Sequence, residues 1–137
     1  MTESFSKEER AAMRQAAKER KLQLSREESL SLTLARIESM APQDRELAMG
    51  LHRIALDVYP DFEVKTWYGM PAYYLDGKVV CFFQAGSKFD SRYSTLGFQH
   101  AAQLDDGDLF ATSFAVIDFT PAVAEQITAL VRKAVGK

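Results

Sequence analysis

The sequence predicts an α+β fold, a two-layer sandwich in which N-terminal helices, an antiparallel β-meander and a C-terminal helix share one core. Three observations carry this expectation. In the first sixty or so positions apolar residues recur at three- and four-residue intervals, the period of a helix. From Phe62 the character changes: eight of the nine phenylalanines and the single tryptophan lie between there and Phe119. After Phe119 the helical period returns. Helices segregated from strands along the chain fit helices gathered on one face of an antiparallel sheet.

The elements follow in order. Ser6 and Glu9 have the spacing of a capping box, in which the two side chains satisfy free N–H groups at a helix start, so a helix is expected from about residue 7 to 20. A second signal of the same kind, Ser25 with Glu28, precedes Leu30, Leu34, Ile37 and Met40 at helical spacing. Pro42 ends that segment and can open the next, where its missing N–H is no loss. Leu47, Leu51, Ile54, Ala55 and Val58 form the apolar stripe of a helix that stops at Tyr59-Pro60. Within the aromatic half, Asp76-Gly77 supplies the positive φ angles of a two-residue hairpin, with Tyr73–Leu75 and Lys78–Phe83 as its arms. Arg92–Phe98 and Ser113–Phe119 read as further strands, the second following an Asp105-Asp106-Gly107-Asp108 turn. Thr120 and Pro121 then start a closing helix with Val123, Ile127, Leu130, Val131 and Ala134 on its buried side. The chain divides into an N-terminal helical extension, 1–25, and an α+β domain, 26–137.

Composition narrows the function. At 137 residues with 47% hydrophobic side chains, the chain holds enough material for one core. Its longest apolar runs, such as Val79–Phe83, are strand-sized, so no membrane span is expected. The N-terminus has neither the basic start nor the apolar centre of a secretory signal, and a cytoplasmic location is expected. A net charge of −2 argues against nucleic acid as a general partner, while leaving room for a local basic patch. Lys7, Arg10, Arg14, Lys18 and Lys21 share one helix face, interrupted by glutamates in the sequence. Cys81, the only cysteine, sits in Val-Val-Cys-Phe-Phe and reads as a small buried hydrophobe.

Candidate chemistry is sparse. Asp105, Asp106 and Asp108 place three carboxylates on one turn, a source of oxygen ligands for a hard cation, or simply a polar turn in which Asp side chains accept backbone N–H groups. Asp57, Asp61 and Glu63 form a second acidic group. His52 and His100 stand on separate segments, with no zinc spacing, nucleophile elbow or oxyanion signature, and no catalytic residue is assigned. Trp67, Tyr68, Tyr73, Lys88 and Arg92 are the candidate ligand-binding set, because aromatic walls with a few cationic donors suit a small planar or anionic ligand. Strand alternation sends about half of the rings to the core. Gly69 permits a close backbone approach and Pro71 keeps Met70 extended, which fits a structural corner as well as a pocket.

The stretch Thr66-Trp67-Tyr68-Gly69-Met70-Pro71-Ala72-Tyr73, followed by Asp76-Gly77-Lys78-Val79-Val80 and Arg92-Tyr93-Ser94-Thr95-Leu96-Gly97-Phe98, resembles the YdhG-like domain family, grouped by fold with YjbR/CyaY-like and frataxin-like proteins. The resemblance runs from roughly Leu34 to Val135 and implies the same α+β fold. It implies a non-catalytic intracellular binding protein, with frataxin-like iron handling as one branch of the family: weakly bound iron, an acidic ligand set and an iron-accepting protein partner. The alternative is a small-ligand or protein-interaction module built on the aromatic and cationic face of the sheet, and the third reading is an unrecognised enzyme. An uncovered sheet face also leaves room for a homodimer.

Overall fold

In the computed structural model, which describes residues 6–137, the chain forms two helices, a five-stranded antiparallel sheet and a last helix. The reading of the extreme N-terminus falls largely on residues 1–5, outside the described residues. The helix α1 spans Lys7–Glu38 and α2 spans Pro42–Val58. The strands are β1 (Glu63–Trp67), β2 (Met70–Leu75), β3 (Lys78–Gln84), β4 (Ser94–Phe98) and β5 (Ser113–Val116); a short 3₁₀ turn, Ser87–Phe89, joins β3 to β4, and α3 spans Pro121–Ala134. The sheet order is β1-β2-β3-β4-β5, a plain meander.

Helix α1 begins with the anticipated capping box: the Glu9 N–H donates to Ser6 Oγ at 3.0 Å, and the Ser6 N–H to the Glu9 carboxylate at 2.9 Å. The second expected start, at Ser25, does not occur. The segment Lys21-Leu-Gln-Leu-Ser25 contains no Gly or Pro, so nothing breaks the backbone ladder and the two expected helices are one. Only its last third packs: Thr33 and Ile37 are fully buried, and Thr33 Oγ1 donates to the Ser29 carbonyl at 2.8 Å. Helix α2 starts with Pro42 at its first position, as expected, and α3 with the Thr120 hydroxyl accepting the Val123 N–H at 3.2 Å.

Cross-strand registers set the two faces of the sheet. Val64 pairs with Tyr73, Tyr73 with Cys81, Cys81 with Phe98, Phe83 with Leu96, and Ser94 with Val116. These side chains form the inner face and meet Ile37, Leu47, Leu51, Ala55, Ile127 and Val131 from the helices. A bulge between Tyr73 and Tyr74 absorbs Val80, so Val80 and Cys81 are both fully buried. Burial pushes the Cys81 thiol up to about 12, which removes it as a nucleophile at neutral pH. The outer face carries no helix and holds Trp67, Tyr74 and Phe82, with Trp67 and Phe82 ring centroids 5.2 Å apart and Lys65 Nζ 4.5 Å from the Tyr74 ring centre. Among the described residues no helix is long and apolar enough to cross a membrane.

Two strand expectations change. The segment from Trp67 to Tyr74 contains a hairpin of its own, in which Tyr68 and Gly69 take φ angles of 51° and 78° between the paired Trp67 and Met70. The Ser113 strand ends at Val116, three residues early.

Inside the core, His52 Nδ1 lies 3.0 Å from Tyr73 Oη. Burial holds the Tyr73 phenol protonated well above its ordinary range, so it shares one hydrogen with a neutral imidazole, whose tautomer sets which of the two donates. Burial first, and then the neighbouring Arg53 charge, lower the His52 pKa. On acidification the unfolded chain therefore takes up this proton before the folded one, and the contribution is complete above about pH 7 and lost as pH falls through about 6.5. Denaturant midpoints measured between about pH 7 and pH 5 should fall, and the His52→Phe variant should show a flatter profile over that window. An unchanged slope in the variant would assign the loss to other groups.

Candidate ligand-binding cleft

Three chain reversals meet at one end of the sheet: the α1–α2 junction at Ser39-Met40-Ala41, the Tyr68-Gly69 turn between β1 and β2, and the 3₁₀ turn after β3. Between them lies a cavity of about 400 Å³. That volume falls within the range of small-molecule sites. Its lining is apolar toward the core, where Pro71 and Phe83 are buried and Met40, Met70 and Ala85 are half-buried. At its rim are Arg36, Lys88 and two exposed rings, Tyr68 and Phe89.

The two cations converge on Gly69. A Cβ placed on that glycine would stand 3.8 Å from Lys88 Nζ and 3.9 Å from the Arg36 guanidinium, so both charged tips hang over the turn. Among the described residues no carboxylate lies within ion-pair distance of either. Lys88 Nζ sits 5.9 Å from the Phe89 ring centre, a loose cation–π contact. The left-handed Tyr68 is a backbone outlier for a bulky residue, and it holds an 85%-exposed ring beside the cavity mouth.

The wall opposite is built around a buried carboxylate. Asp44, in the first turn of α2, is 6% exposed; Ser87 Oγ donates to its Oδ2, and Ser94 Oγ donates to its Oδ1 at 3.0 Å. Ser94 Oγ in turn accepts the Gly86 N–H at 3.0 Å. The free N–H groups of the first helical turn also favour a negative charge there. Gly86 is needed for contact, since a Cβ at that position would stand 2.2 Å from the Tyr93 carbonyl oxygen. The turn that carries Ser87 and Lys88 is thus fixed both to β4 and to α2.

The structure brings Tyr68 and Lys88 of the sequence-predicted set together, and it separates the rest. Trp67 touches Tyr68, with centroids 5.0 Å apart, but lies on the outer sheet face against Phe82 and does not line the cavity. Arg92 lines a neighbouring cavity of about 380 Å³ on the far side of Asp44, with its guanidinium 5.5 Å from the Tyr93 ring centre. Tyr73 is completely buried and belongs to the core, because its register opposite Val64 and Cys81 turns it inward. Arg36, Asp44, Ser87 and Phe89 are cleft residues that sequence reasoning did not single out. A larger groove of about 720 Å³ between β5 and α3 has no Lys, Arg or His in its lining.

The acidic expectation is corrected in the same way. Among the described residues no three His, Cys, Asp or Glu side chains are placed to hold a metal ion together. Asp105, Asp106 and Asp108 are exposed on a turn in which Gly107 takes a φ of 74°, and they are not grouped there as a metal-holding set. Asp57 and Asp61 are exposed, while Glu63 pairs with Lys65 at 3.7 Å. No family model, curated protein or solved structure matches this chain.

Removing the Asp44 carboxylate strands two hydroxyls and loosens the turn that carries Lys88. Asp44→Ala should cost about 2 kcal/mol in denaturant unfolding, and Ser94→Ala about 1 kcal/mol. Gly86→Ala should cost about 1–3 kcal/mol through overpacking against Tyr93. Stability equal to the parent in all three would show that this end of the sheet does not depend on the carboxylate.

Proposed function

We propose that the protein is a YdhG-like, non-catalytic binding module whose cleft takes a small anionic ligand with a flat apolar body. The observation that carries this reading is the convergence of Arg36 and Lys88 over Gly69 at the mouth of an apolar cavity. Cationic donors without carboxylate partners suit an incoming carboxylate or phosphate, and such charge-assisted bonds are the strong ones. The apolar walls and the Tyr68 and Phe89 rings suit a planar remainder. Ser87, whose hydrogen is committed to Asp44, offers only lone pairs, so a ligand N–H or O–H group completes the fit. Frataxin-like iron handling has no comparable support, because the acidic residues that would serve it do not converge.

A thermal-shift series on the full chain tests this with inorganic phosphate, benzoate and adenosine monophosphate. An aromatic anion should raise the midpoint more than phosphate does; at about 100 times its dissociation constant a ligand adds about 2.7 kcal/mol. Arg36→Ala and Lys88→Ala should each weaken binding by about tenfold or more, equivalent to about 1.5–3 kcal/mol, and Phe89→Ala should weaken the aromatic anions selectively. A shift that survives in both cation variants would place the ligand elsewhere. No shift with any anion would remove this reading.

A further inference from the structure

More than half of α1 projects beyond the sheet. Residues 7–25 are exposed without exception, a helical arm of about 28 Å, and the first contact with the body comes at its base, where Arg26 Nη2 donates to the Asp61 carbonyl at 3.1 Å. Without tertiary packing the arm relies on its capping box and on local side-chain bonds such as Gln15 to Glu19 at 3.2 Å and Gln23 to Glu27 at 3.1 Å. Its charge differs from that of the remainder. Residues 7–25 contain six Lys and Arg against Glu8, Glu9 and Glu19, a net +3, whereas the whole chain carries −2, so everything else carries −5. The overall acidity that argues against nucleic acid therefore conceals a basic arm held away from an acidic body. With a Debye length of about 8–10 Å, the tip of an arm of about 28 Å is screened from that body.

The basic residues are arranged as well as numerous. Lys7, Arg14, Lys18 and Lys21 are separated by seven, four and three residues and share one face, while the three glutamates point elsewhere. Thr33 and Ile37, which fasten the helix to the sheet, lie about a third of a turn round from that stripe, so docking leaves it free. The arm also lacks the features of other helical recognition modes. A groove-binding helix needs apolar anchors at i, i+3, i+4 and i+7, and a membrane-surface helix needs an apolar face. The exposed Met13, Leu22 and Leu24 form neither, because Leu22 and Leu24 fall on opposite sides. Regularly spaced charge on a stiff rod without anchors is complementary to a phosphate backbone, whose recognition requires little else. We propose that this arm docks along the phosphate backbone of a double-stranded nucleic acid through Lys7, Arg14, Lys18 and Lys21.

Fluorescence anisotropy of the full chain with a labelled mixed-sequence duplex of about 20 base pairs tests the proposal. Four phosphate contacts predict a slope of log K against log salt of about −3.6, which weakens binding about 150-fold between about 50 and 200 mM salt. Replacing Lys18 and Lys21 together by alanine, the strongest helix former, keeps the helix and should make the slope shallower by about 2, with far-UV circular dichroism unchanged. Lys88→Ala should leave duplex binding as it is. No binding at about 50 mM salt, or a slope unaffected by the double variant, would overturn the proposal. A polyglutamate peptide binding more tightly than the duplex would also overturn it, in favour of an acidic protein partner.

Discussion

One buried carboxylate ties the two layers together at the end of the sheet where the cleft lies. Asp44 belongs to the helical layer, and its two hydroxyl donors, Ser87 and Ser94, belong to the β3–β4 connection and to β4. Burying such a group is tolerable only because each oxygen has a donor and the first turn of α2 supplies a favourable field. The same bonds hold the turn bearing Lys88 beside the junction bearing Arg36. Without them the turn bearing Lys88 would lose its ties to α2 and β4, and its ammonium would not be held beside Arg36 over Gly69. The cost of a buried charge is here connected directly to the geometry of the candidate cleft.

The fold was legible because its strongest signals are local. The Asp76-Gly77 hairpin, the Pro42 and Thr120-Pro121 helix starts and the stripe from Leu47 to Val58 each depend on residues within a few positions of one another. The two misread places have local causes as well. Ser25 is a good N-cap in isolation, but a capping residue cannot end a helix that has no breaker before it. Tyr68-Gly69 does not read as a hairpin turn in the sequence because its first residue is a tyrosine in a conformation that Asn, Asp or Gly usually supplies.

The cleft was legible only in part, and the reason is topological. Tyr68 and Lys88 stood out as an aromatic and a cation in the same half of the chain. Arg36 and Asp44 carry no motif; they become partners of that half only when α1 and α2 fold over the sheet. Tyr73 shows the converse limit. Its aromatic character marked it as a binding residue, yet strand alternation and its register opposite Cys81 sent it to the core, where its hydroxyl pairs with His52.

The two charged features of α1 are set on one rod. Arg36 follows Lys18 by eighteen residues, five full turns or about 27 Å, so the cleft cation and the basic stripe project from the same side of the helix. What separates them mechanically is the packing of Thr33 and Ile37 against the sheet. Thr33 precedes Arg36 and Ile37 follows it, so the anchor brackets the cleft cation and the free arm meets a fixed point before reaching it. The arm and the cleft are then energetically independent, as sites without shared partners usually are. On the two proposals together, the helix would act as a spacer that holds a polyanion clear of the acidic body while its anchored end completes a small-ligand site.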